Sequence, residues 1–391
     1  MKKAPMLLFV ILFICISITA WAEEPIKIGV VMNLTGPWAS IDGPATRGIQ
    51  LAAEQVNEEG GILGRPIELV VVDTKADQAE VVAATIRLIE SENVVALIGY
   101  CDTHWVNIAA PLAREYDIPF ITPGATHPRM PERNSAWLIS FGDNAQAAVV
   151  AEYAVHDLGL TRGVIWIDTA CDFCVAVSAY FADVLENLGG EVVYEDYFET
   201  TWTDFSGMVA RLKGFQDQGQ VDFVYPSAIP GNAGLIVRQL REGGVTIPIF
   251  SADGLDTPLL VEVGGEHAEG VVFASHISLE DPDPKIQQWV ADYEEMFGFP
   301  PETSFASVGT DSILVLKEAI ETIGEVDPAR IPEGLGMIDG FEGISGVYSY
   351  TDGTQVPTKT VSVIEVQDGI FVTLRQVYPD PETLPDPTVA N

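Results

Sequence analysis

Residues 26–73 read IKIGVVMNLTGPWASIDGPATRGIQLAAEQVNEEGGILGRPIELVVVD, and their pattern decides the fold. Ile26–Met32 and Ile67–Asp73 are β-rich runs with little polar alternation. Between them, Ile49, Ala52, Ala53 and Val56 recur at helical spacing within residues 46–57. A strand that is apolar on both faces must be covered on both, the condition of a parallel sheet between two helical layers. The same alternation runs outward from this stretch. A helix is predicted around residues 78–91, a strand at 94–99, a helix at 106–116 and a strand at 119–122. After Asp143 it restarts, with strands at 163–168, 191–198, 222–225, 248–252 and 270–276. The fold class is therefore α/β, built as two doubly wound parallel-sheet lobes. Helices at 286–297 and 303–323 follow, then two hairpins turning at Asp352-Gly353 and Asp368-Gly369, a dipeptide suited to type I′ turns.

The ends of the chain carry different signals. Lys2 and Lys3 precede the apolar run MLLFVILFICISI at residues 6–18, and Ala20-Trp21-Ala22 fits a cleavage site. Residues 1–22 read as a secretory signal peptide, shorter in its apolar part than the ~20 residues of a membrane-spanning helix. The expected location is the periplasm. Residues 379–391, PDPETLPDPTVAN, are rich in proline and acid and are expected to be disordered.

Composition narrows the partners. The chain holds 57 Asp and Glu against 20 Lys and Arg, a net charge of −37. A field of that sign repels nucleic acid and anionic lipid, which excludes both. Beyond the leader stand Cys101, Cys171 and Cys174, an odd number, so one thiol stays unpaired within the chain. Cys171-Asp172-Phe173-Cys174 reads first as a local disulfide, then as free thiols. A Cys₃His metal site with Cys101 and His104 is the weaker alternative, because only one pair has zinc-like spacing. No cofactor is expected.

In open parallel sheets ligands bind beyond the carboxyl ends of the strands. Those ends here hold Tyr100 to His104, Pro123 to Pro128, Thr169 to Cys174, and Asp253-Gly254. Thr103 is expected to cap the helix that follows it, and with Thr126 and the backbone of Gly124 it forms a donor cluster suited to a carboxylate. Asp253, from the other lobe, suits an ammonium group. Trp38, Tyr100 and Trp105 are candidate cleft aromatics, Trp105 more readily a core residue. His104, His127 and His276 read as hydrogen-bonded loop residues. No G-x-S-x-G elbow, P-loop or H-E-x-x-H is present.

The opening stretch, together with ITPGATHP, DFSGMVARLK and DFVYPSA, resembles the type I periplasmic binding proteins of the branched-chain amino-acid (Leu/Ile/Val) transporters. The resemblance covers roughly residues 26–377. It implies a Venus-flytrap architecture, with a multi-stranded hinge joining the lobes. On that scheme residues 23–143 plus 278–357 form one lobe and residues 144–277 plus 358–378 the other. It implies a carboxylate site at Thr103, preceded by Cys101 and Asp102, and at Gly124, Ala125 and Thr126. Asp253 would replace the family's usual glutamate, and Phe305 would face the ligand side chain. Phe173 is the nearest aromatic to a missing tyrosine, and Ile229 stands where a second aromatic is common. The family's early cysteine is absent.

The resulting expectation is a monomeric, non-enzymatic binding component of an ABC importer. It would capture an amino acid or analogue and present it to membrane permease subunits. Amides, urea or a small aromatic acid are alternative ligands. An exported enzyme using Asp102 and Asp253 as a carboxylate pair is the rival of another class.

Overall fold

The apolar runs become strands of two sheets in the computed structural model, which describes residues 24–390, with Ile26–Met32 inside the first sheet and Ile67–Asp73 at its edge. The signal-peptide reading of residues 1–22 lies outside the described residues. In the first lobe β1 (Ile26–Met32), β2 (Ile67–Asp73), β3 (Ala96–Gly99), β4 (Phe120–Thr122) and β5 (Trp137–Leu138) form a parallel sheet in the order β2-β1-β3-β4-β5. The connections are α1 (Ala39–Glu58), α2 (Gln78–Glu90), α3 (Thr103–Glu115) and α4 (Met130–Asn134). The second lobe begins with α5 (Asp143–Glu152), which a π turn extends to Asp157. It continues through β6 (Arg162–Asp168), α6 (Asp172–Asn187), β7 (Glu191–Phe198), α7 (Ser206–Asp217), β8 (Phe223–Ser227), α8 (Pro230–Glu242), β9 (Ile249–Ser251), α9 (Pro258–Gly264) and β10 (Val271–Ser275).

The chain then returns to the first lobe with α10 (Pro284–Phe297), α11 (Phe305–Ile323), α12 (Ile331–Leu335) and the short hairpin β11 (Phe341–Glu342) with β12 (Val347–Tyr348). Finally β13 (Val361–Gln367) and β14 (Ile370–Val377) complete the second sheet, ordered β14-β13-β10-β9-β8-β6-β7. Crossings between lobes thus fall after β5, after β10 and before β13. Asp368 and Gly369 sit at φ 52° and 76° and turn β13 into its antiparallel partner β14, as expected of the dipeptide.

Two helices meet backbone to backbone because glycine permits it. A Cβ on Gly48 of α1 would lie 1.9 Å from the Ala306 carbonyl oxygen, and one on Gly309 of α11 would lie 2.0 Å from that of Ala45. Either substitution forces the pair apart. At the crossings, buried Lys359 donates from Nζ to Ser345 Oγ (2.8 Å) and to the Tyr348 hydroxyl (3.1 Å). Both hydroxyls also donate to Asp311 Oδ2 at 2.7 Å. Burial pushes Lys359 down to about 7.

Two expectations need correction. The Asp352-Gly353 turn does not join paired strands; β11 and β12 pair before it. Pro357 interrupts the segment beyond the turn, and the Gln355 carbonyl there accepts from Leu138 N (2.9 Å), so this stretch lies against β5 instead. The terminal stretch is not a free tail. Asn144 Nδ2 donates to the Pro385 carbonyl (3.0 Å), the Tyr180 hydroxyl donates to that of Pro387 (2.6 Å), and Ala390 packs into the second lobe's core. Composition signals disorder, but it cannot reveal that buried donors elsewhere await these carbonyls.

Candidate functional site

The first half of the site hangs from the tip of β3. Asp42 of α1 is fully buried; its Oδ2 accepts from Asn33 N (2.8 Å) and its Oδ1 from Cys101 N (2.9 Å). It thereby ties the ends of β1 and β3 together. Burial raises Asp42 to about 7 despite these bonds. Tyr100 turns the chain at φ 55°, a conformation that costs a non-glycine residue about 1–3 kcal/mol.

The cap of α3 is Asp102, not Thr103. Asp102 has extended backbone and its Oδ1 accepts from His104 N (3.0 Å), which moves Thr103 inside the helix. The consequence matters more than the correction. Thr103 Oγ1 is left buried and without a partner. Burial raises Asp102 to about 6.

The next tip follows β4. Gly124 is required there, because a Cβ would lie 2.6 Å from Cys101 Cβ and 2.7 Å from the Phe305 ring. The Thr126 carbonyl accepts from Asp143 N at 2.7 Å. Ala125 departs from expectation: it packs into the first lobe's core, and its N–H is held by Thr122 Oγ1 (3.1 Å).

The second lobe supplies Asp253, on a short turn after β9. It is 3% exposed, and its N–H donates to Gln146 Oε1 at 2.9 Å. Burial drives its carboxyl well above the usual range, and the nearby charge of Asp143 adds to the shift. His276 Nε2 stands 3.9 Å from Asp253 Oδ2, yet burial pushes that imidazole far down, so it is neutral and supplies no countercharge. Neither ring nitrogen of His276 has a hydrogen-bond partner, contrary to the loop role expected. His127 does fill such a role, with Nδ1 accepting from Arg129 N at 3.2 Å.

These groups converge. Trp38, Cys101, Asp102, Thr103, Gly124, Thr126, Phe173, Asp253 and Phe305 line one cavity between the lobes, as does Ile229. The cavity offers about 20 Å³ to the centre of a water-sized sphere. Sequence reasoning missed Ile41 and Pro230 in its wall, whereas Gly254 falls at a strand end it had singled out. Ile41 carries no local signal beyond its place in a helix.

Two carboxylates, one from each lobe, face this space, and among the described residues no Lys, Arg or His lines it. Thr103 Oγ1 and Trp38 Nε1 are buried there without partners. Trp38 stands edge-on to Trp105, with ring centroids 5.3 Å apart. The arrangement can satisfy a cation on one side and donate hydrogen bonds to acceptors on the other. It is ill suited to nucleophilic chemistry, because burial holds the Cys101 thiol well above its normal pKa.

Phe173 is carried by a covalent ring. Cys171 and Cys174 are disulfide-bonded, with Cα atoms 5.2 Å apart, at the start of α6. Beside it, Asp172 reaches across the cleft to His104 of α3, with Oδ2 to Nδ1 at 3.7 Å. That contact raises His104 and lowers Asp172. Among the described residues no cluster of His, Cys, Asp and Glu is arranged to hold a metal ion, and no helix is long and apolar enough to cross a membrane.

Two doubly wound lobes, three crossings and a largely apolar cleft with an acid from each lobe define a solute-binding protein of the two-lobed kind. The chain belongs to the periplasmic binding protein family, whose pattern residues 25–369 match. An amino acid binding protein of Pseudomonas aeruginosa is 30% identical over 322 residues, covering 80% of this chain and 83% of that one. The crystal structure of a leucine-binding protein, LivK, from Thermotoga maritima is 31% identical, with a TM-score of 0.83 over 91% of this chain and 99% of that one. The branched-chain amino acid substrate-binding protein LivJ of Streptococcus pneumoniae, solved with isoleucine, is 26% identical, with a TM-score of 0.82 over 91% of this chain and all of its own (100%). The type I fold and the kinship with branched-chain amino-acid binding proteins expected from the sequence are both borne out. This is a family of solute-binding proteins rather than enzymes.

Proposed function

We propose that the chain is the extracytoplasmic solute-binding component of an ABC importer. It closes its lobes on an amino acid or a close analogue and catalyses no reaction. The observation that carries this reading is the division of the clamp. An unpartnered hydroxyl at the start of α3, with Thr126 beside it, meets the ligand carboxylate from one lobe. Asp253, buried and without a cationic neighbour, meets the ammonium group from the other. A zwitterion satisfies both halves at once and replaces the missing countercharge.

Residues 1–22 are the export signal, the protein acts as a monomer, and its closed form is presented to membrane permease subunits. Residues near 143, 277 and 357 act as the hinge between lobes. The relatives that bind amino acids support the ligand class. Isothermal titration with an amino-acid mixture, together with small-angle scattering, tests the reading. Saturable binding with a smaller radius of gyration is expected. Tight binding with unchanged dimensions would refute closure, and turnover of any bound compound would refute the non-enzymatic role.

A further inference from the structure

The walls of the cleft bear on the size of the solute, an inference that rests on the amino-acid reading above. We infer that the cleft is built for a small α-amino acid, with a side chain no larger than about a methyl group, and that it rejects leucine-sized solutes. The centre of a water-sized sphere has only about 20 Å³ to move in there. Grown outward by one water radius of about 1.4 Å, a sphere of that volume encloses ~120 Å³, or roughly four waters' share of liquid volume. At interior packing density this accommodates roughly four to six non-hydrogen atoms. Glycine and alanine fall within that range. An isobutyl side chain does not.

The walls cannot easily retreat. Phe305 lies where a side chain on Gly124 would be, 2.7 Å from that missing Cβ, so its ring already occupies the space the glycine leaves. Phe173 stands likewise over Gly254, with Cε1 3.1 Å from the missing Cβ. Its backbone is held within the ring closed by Cys171 and Cys174. Ile229, 2% exposed at the N-terminus of α8, closes the remaining side. His104 and Asp172 meet across the cleft in this arrangement, 3.7 Å apart. A larger solute would have to hold the lobes apart and forgo that contact.

Titration calorimetry at neutral pH with glycine, alanine, serine, valine and leucine tests this. Alanine or glycine should bind most tightly, and leucine about 100-fold or more weakly, since each surplus methylene in a closed pocket costs about tenfold or more. Ile229→Ala should narrow the gap between leucine and alanine by at least about tenfold, read as the ratio of the two dissociation constants in the same variant, so that any general loss of affinity or stability cancels. Phe173→Leu, which trims a different wall, should shift the ratio in the same direction and decides the matter where Ile229→Ala folds poorly. Leucine binding as tightly as alanine to the native protein overturns the size inference and leaves the amino-acid reading standing. Binding of none of the five overturns the amino-acid reading itself.

Discussion

Asp253→Asn separates a ligand-binding acid from a structural one. The carboxyl is 3% exposed, no Lys or Arg lines its cavity, and the neighbouring His276 is neutral. In the empty closed form the group is therefore held protonated well above its usual range. Asparagine resembles that neutral form in shape and charge, so the free protein should lose almost nothing. The sign of the linkage agrees: the folded state keeps a proton that the unfolded chain releases near pH 4, so Asp253 costs stability as pH rises above that point, and the amide removes the cost. Binding behaves differently. Losing one partner of a desolvated charge pair costs about 2–5 kcal/mol, a weakening of roughly 30-fold to several thousand-fold in Kd. Titration calorimetry with the preferred amino acid reads the loss, and a thermal melt without ligand reads the stability. Affinity within about threefold of the native protein would refute the ammonium assignment. A collapsed melting temperature would show that Asp253 holds the lobe together instead.

Thr103→Val tests the other half of the clamp. Its hydroxyl has no protein partner, so the melting temperature should stay put while affinity falls by about 1.5–3 kcal/mol, the worth of a hydrogen bond to a charged group; an unchanged Kd would remove Thr103 from the site. The pair of His104 and Asp172 should make closure pH-dependent. Raised His104 supports it fully below about pH 6.5 and loses that support as pH climbs through the shifted value, whereas lowered Asp172 supports it above about pH 4 and fails as pH falls through its own. Both side chains are partly exposed, at 39% and 56%, so the effect should be under about 1 kcal/mol, visible as weaker binding at pH 8 than at pH 6 that vanishes in His104→Gln. Replacing Cys171 and Cys174 together by serine reopens a ring whose closure contributes about 2 kcal/mol by chain entropy. A melting temperature lowered by a few degrees, with a larger loss in ligand affinity because Phe173 loosens, is the expected outcome.

The fold was legible where local chemistry and final structure coincide. Val30, Val31 and Met32 announce a strand covered on both faces, and Asp368-Gly369 announces its turn without help from the rest of the chain. The strand-end rule led from those strands to Thr103, Thr126 and Asp253, which do meet in one cavity. What escaped was set by distant partners. Whether Asp102 or Thr103 caps α3 depends on whether Asp102 takes the His104 N–H or Thr103 takes that of Trp105 or Val106, and residue types alone favour both. The start of α1 at Ala39, ahead of Pro44 and two glycines, depends on α11 lying against it at Gly309. The packed terminal stretch owes its order to Asn144 and Tyr180, far away in sequence. Ala125 was misplaced because side chains flanking a functional loop alternate between cleft and core, and the phase of that alternation is a tertiary fact.

With the other two cysteines joined, Cys101 is the free thiol among the described residues, and it sits 5% exposed in the cleft wall. An alkylating reagent too bulky for so narrow a space reaches the sulfur only while the lobes stand apart. Its reaction rate is therefore a built-in clock for opening, which a saturating solute should slow in step with occupancy, with no dye or engineered residue needed.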